Sequence, residues 1–118
     1  MPDRDEPVVQ FRLRIRKGPR VAIGPGKIAL LEAIGATGSI TGAAKRLEMS
    51  YRRAWLLIDE MNTCMREPVV ATVTGGVRGG GSELTAAGRD IVERYCAIQS
   101  RARAAVADDL EQLLRRLV

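Results

Sequence analysis

Apolar positions change their period several times along the chain, and each change predicts an element. Val9, Phe11, Leu13 and Ile15 alternate with Gln10, Arg12, Arg14 and Arg16, which predicts a strand with one buried and one basic face. Lys17-Gly18-Pro19-Arg20 reads as a turn. Gly24-Pro25 then opens a helix, with proline suited to its first turn, and Ile28, Leu31 and Ile34 face inward until Gly35–Gly38 ends it. A second, short helix starts at Ser39 or Thr41 and turns Ala43, Ala44 and Leu47 inward. Glu48-Met49 makes a tight turn, and Ser50 can cap a third helix by accepting from the free N–H groups of its first turn. Ala54, Ile58, Met61 and Met65 recur at helical spacing and mark that helix's core face. Pro68 to Val73 is strand-like, Thr74 to Ser82 is a glycine-rich hairpin, and Glu83-Leu84 begins the return strand. Thr85 caps a last helix from Ala86 towards Leu117, whose apolar stripe is Ile91, Tyr95, Ile98, Ala102, Val106, Leu110, Leu113 and Leu117.

Two short helices joined by a tight turn, with small residues where they cross, form a helix-turn-helix. The polar and aromatic groups Ser50, Tyr51, Arg52, Arg53 and Trp55 gather at the start of the second of the pair, where a recognition helix contacts bases and phosphates. Arg52 and Arg53 suit guanine edges or phosphates. Tyr51 suits a phosphate or a thymine methyl, Ser50 is mainly a cap, and Lys45 on the preceding helix adds a cation. Trp55 is ambiguous: its spacing from Tyr51 places it on the exposed side, yet a lone Trp is more often a packing anchor, here with its edge near the DNA backbone. In the hairpin, Thr74, Gly75, Gly76, Gly79 and Gly80 let backbone approach a phosphate, and Arg78 supplies charge. Read alone, such a run is a flexible loop. A nucleotide phosphate loop is excluded, because no Lys-Ser/Thr follows the glycines.

These residues carry a family resemblance. GSITGAAKRLEMSYRRAWLLIDEMN, Gly38 to Asn62, followed by ATVTGGVRGGGSELTAAG, resembles the DNA-binding domain of the molybdate-responsive ModE regulators, itself similar to LysR-type helix-turn-helix domains. The resemblance spans roughly residues 9 to 100. It implies a winged helix-turn-helix that is mainly α with a small β wing, a cytoplasmic transcriptional regulator, and a theme in molybdenum or related oxyanion metabolism. The chain stops after the last helix, so the family's molybdate-binding domains are expected to be absent and a separate oxyanion-sensing or transcription partner is left open.

Length and charge agree with this outline. At 118 residues one domain is expected: a loose tail at 1–7, the winged helix-turn-helix at 8–85 and a C-terminal helix at 86–118. Formal charge is +5, and it is unevenly placed. Residues 10–55 hold ten Lys/Arg against only Glu32 and Glu48, whereas 86–118 hold six Arg against five acids. Phosphates are the natural partner of such a half. Arg12, Arg14 and Arg16 either extend a DNA footprint or solvate an edge strand. The last helix, at roughly 30 residues, is about 45 Å long, more than this domain can cover, which predicts a homodimer; the other reading is that it folds back on its own domain or breaks near Asp108-Asp109. Its steps of three and four follow no strict heptad, which argues against a long zipper.

Other chemistries find little support. The chain has no histidine, no Ser or Cys has an evident activating partner, and neither an enzyme nor a cofactor is expected. Cys64 and Cys96 lack metal-ligand spacing, and no apolar run approaches ~18–20 residues. Met61, Cys64 and Met65 share a helix and soft donors, so a thiol/thioether metal-responsive regulator is one alternative. A protein-interaction module and a nonspecific chromosome-coating protein are the others.

Overall fold

The computed structural model describes residues 5–73 and 81–118. The centre of the core is α1 (Pro25–Thr37), which buries Ile28, Leu30, Leu31, Ala33 and Ile34 together with Lys27. Pro25 sits in its first turn, and Gly38 ends it in the left-handed region at φ 74°, donating its N–H to Ile34 O at 2.8 Å. Leu30, Leu31 and Ile34 are almost wholly buried, and each stabilises the fold by about 1.5–3 kcal/mol.

Around α1 lie the two helices of the expected pair. α2 (Ile40–Arg46) is capped by Ser39, whose Oγ accepts from Gly42 N at 2.9 Å. Ala43 and Ala44 are buried where α2 meets its neighbours. Glu48 takes a positive φ of 56° in the turn that follows. α3 (Tyr51–Cys64) is capped by Ser50, which accepts from Arg53 N at 3.1 Å, and buries Ala54, Ile58 and Met61. Asn62 ties the end of α3 to the next strand: its Oδ1 accepts from Val69 N at 2.8 Å.

Two hairpins flank this core. β1 (Ile15–Lys17) and β2 (Arg20–Ile23) pair antiparallel with a register shift after Ile15, across a turn in which Gly18 has φ 62°. β3 (Val70–Val73) pairs with β4 (Gly81–Leu84), Val70 opposite Leu84 and Val73 opposite Gly81. This second hairpin closes on α1, because Ser82 N donates to Gly38 O at 3.0 Å. α4 (Ala86–Ala105) is capped by Thr85, which accepts from Gly88 N at 3.0 Å. Gly88 crosses Val69 so closely that an added Cβ would lie 2.2 Å from the Val69 carbonyl oxygen. α5 (Ala107–Leu114) follows.

Three expectations change. The alternation at Val9, Phe11 and Leu13 reports real half-burial, but strand pairing begins only at Ile15, which is itself 47% exposed. The extended segment bonds instead to helix side chains: Tyr95 Oη donates to Leu13 O at 2.9 Å, Gln99 Nε2 to Phe11 O at 2.9 Å and Arg103 Nη2 to Val9 O at 3.2 Å. Four helical residues rise about 6 Å and two extended residues about 6.6 Å, so the two ladders keep step. Secondly, β2 was not anticipated. Thirdly, the last helix is interrupted at Val106, whose φ of −113° and ψ of 15° end α4.

Candidate nucleic-acid interface

Helical geometry sorts the side chains of α3 into four strips. Ala54, Ile58 and Met61 enter the core. Arg52, Leu56 and Asp59 form the outward strip, and all three are exposed, Leu56 to 47%. Tyr51 and Trp55 lie on one side of it, 54% and 47% exposed, and share a groove with Thr41, Thr72 and Ser82 beside the β3–β4 hairpin. Arg53, Leu57 and Glu60 lie on the other side and line a cleft with Arg14, Val21 and Gly24 beside the β1–β2 hairpin.

The sequence-predicted residues therefore come together at one end of α3. Ser50, Tyr51, Arg52 and Arg53 are exposed and adjacent, and Lys45 is exposed on α2. Trp55 is half-exposed against the second hairpin rather than anchored in the core, because its position on the wheel is next to Tyr51. Thr74, Gly75, Gly76, Arg78, Gly79 and Gly80 lie outside the described residues; β3 and β4 on either side of them pair as expected.

Two features escaped the sequence reading. Leu56 had a signal, since it follows Arg52 by four residues, but an apolar side chain suggests a core position. Lys27, buried on α1, donates to Glu60 Oε1 and to Val21 O, joining α1, α3 and β2 across 33 residues of sequence. This hydrogen bond and the Lys27 charge, with a contribution from Arg20, hold the Glu60 carboxyl below its ordinary range against some desolvation. No periodicity announces such a pair.

The expected dimer stripe divides. Tyr95 is buried in its own chain at 4% exposure, where burial raises its hydroxyl pKa against the Leu13 hydrogen bond, and Ile91 packs on the same core. Ala102 and Leu110 are half-buried. Ile98, Val106, Leu113 and Leu117 are exposed, at 49%, 36%, 63% and 60%. Seven of the eight α5 residues are exposed. Of the possible soft-metal group, Met61 is sealed in the core, while Cys64 and Met65 are half-buried. Among the described residues, no cluster of three or more His, Cys, Asp or Glu could hold a metal, and no helix is long and apolar enough to cross a membrane.

The five helices and two small antiparallel hairpins among the described residues, with a capped and outward-facing third helix, are consistent with a winged helix. Comparison with known proteins points to one group. The chain is 45% identical over 96 residues to the molybdenum transport protein ModE of Azotobacter vinelandii, covering 81% of this chain and 34% of that protein. It is 39% identical over 103 residues to the transcriptional regulator ModE of Yersinia pestis, covering 85% and 39%. It is 35% identical over 103 residues to the DNA-binding transcriptional dual regulator ModE of Escherichia coli strain K12, again covering 85% and 39%. The chain thus spans little more than a third of the length of these relatives. No family model matches it.

Proposed function

We propose that the protein is a DNA-binding transcriptional regulator linked to molybdenum metabolism, a winged helix-turn-helix that acts as a homodimer on a pseudo-palindromic operator. The observation that carries this reading is the strip of α3 that turns Arg52 away from the core beside a Ser50-capped first turn and the exposed Tyr51 and Trp55. A helix placed so can enter a major groove, with Arg52 reading a guanine edge and the freed N–H groups near Ser50 taking a phosphate. The similarity to proteins named transcriptional regulator ModE supports the regulatory role and its theme. The glycine-rich segment with Arg78 would then hold backbone or minor groove as the wing. The exposed Ile98 on α4, Leu113 on α5 and Leu117 just after it would supply the dimer contact, and two copies would place their α3 helices about 34–36 Å apart in successive major grooves.

The test is affinity for promoter fragments of molybdenum-related genes against random duplex at one salt concentration. A specific regulator shows a ratio of about 10³ or more. Arg52→Ala should cost about 1–3 kcal/mol on the preferred fragment and relax the preference at one position. A ratio near one for every fragment would instead indicate nonspecific coating of DNA.

A further inference from the structure

The β1–β2 hairpin has no part in the helix-turn-helix reading, yet it stands against α3 on the side away from β3–β4. Arg14 and Arg53 line one cleft there, with Val21 and Leu57 between them and Glu60 at its edge. Arg14 lays its stem over Gly24, where its Cγ would be 3.6 Å from an added Cβ. Arg20 is close enough to Glu60 to act on its charge, but Glu60 is already paired with Lys27. Lys27–Glu60, Arg94–Asp90 and Arg115–Glu111 are ion pairs among the described residues, and Arg14, Arg20 and Arg53 take no part in them. Two guanidinium groups, Arg14 and Arg53, line that cleft, and an anion between like charges relieves their repulsion. Arg53 also lines a second cleft with Ser50, Arg52, Leu56 and Glu60, so basic side chains lead from the outward strip of α3 towards the hairpin, past the Lys27-paired Glu60.

We propose that Arg14, just before the first hairpin, and Arg20 within it, with Arg53, form a second clamp on the DNA backbone, on the opposite side of α3 from the β3–β4 hairpin. This rests on the reading that α3 enters the major groove. A groove about 12 Å wide has a phosphate backbone on each side. A duplex seated on Arg52 and Leu56 presents one backbone to Tyr51, Trp55 and the second hairpin, and the other to Arg53 and the first hairpin. The clamp positions the duplex and reads no base.

The experiment measures Kd against salt for the wild type, Arg14→Gln, Arg20→Gln, their double variant, Arg14→Lys and Arg52→Ala, on the preferred duplex and on random duplex. Glutamine keeps much of the stem, and thermal melting confirms folding. Each Arg→Gln change should lower the salt slope by about 0.9 and weaken binding roughly fivefold near 0.15 M salt, equally on both duplexes. Arg14→Lys should retain the wild-type slope. If the double variant keeps wild-type affinity and slope while Arg52→Ala loses sequence preference, the clamp is refuted and the DNA-binding reading stands. If the wild type binds no duplex with a salt-dependent affinity, the underlying reading fails and the clamp falls with it.

Discussion

At the scale of single residues, Lys27 and Glu60 show how a charge is kept inside a small core. A buried ammonium without a partner is costly, and here it donates both to a carboxylate and to a backbone carbonyl. The Glu60 carboxyl is lowered, so its contribution to stability is present above the ordinary carboxylate range and is lost as pH falls through the lowered value. Glu60→Gln should therefore be less stable than the wild type at neutral pH, and the gap should close in acid. Urea unfolding at pH 7 and at pH 3 checks this, and a gap that is constant with pH would contradict it. The outward strip of α3 follows a different logic. Arg52 was legible because it stands two positions after a cap. Leu56 was not, because exposure of a leucine is a property of the whole helix face rather than of the residue. The convergence of Arg14 with Arg53 was also hidden, since it depends on a hairpin folding back against α3.

At the scale of elements, the sequence was clearest where caps and periodicity agree. Ser39, Ser50 and Thr85 each cap the helix expected of them, and Gly24-Pro25 opens α1. β2 was illegible because its four residues hold a single buried side chain, Ala22, between two Gly-Pro breaks. The stop at Val106 falls just before Asp108-Asp109, where a break is one reading of the sequence, and both acids then sit in the first turn of α5. Alternation along Val9–Leu13 reports which face is buried, whereas the partner of the backbone is a matter of tertiary structure. Gly88 is the tightest junction between elements. Gly88→Ala places a methyl group against the Val69 carbonyl, which must move along with the start of β3. We expect a loss of about 1–3 kcal/mol despite the better helix propensity of alanine. Thermal unfolding tests it, and a variant as stable as the wild type would show that α4 can slide freely on β3.

At the scale of the whole molecule, large apolar side chains stand exposed on the last turns of the described chain. Leu113 and Leu117 are 63% and 60% exposed. If they meet a second copy, Leu113→Glu would desolvate a charge at the seam and yield monomers, with operator affinity falling steeply while α1–α3 stay folded. Sedimentation of both proteins decides this, and a wild type that is monomeric at micromolar concentration, free and on DNA, would rule it out. The ladder from α4 to the extended N-terminal segment has a different outcome, one in time. Tyr95, Gln99 and Arg103 reach back 82, 88 and 94 residues for the carbonyls of Leu13, Phe11 and Val9. At about 5–20 residues per second of synthesis, that interval is roughly 4–19 seconds. The Val9–Leu13 segment can thus find its place only seconds after its own synthesis, once α4 has followed it, and until then its carbonyls lack their α4 donors.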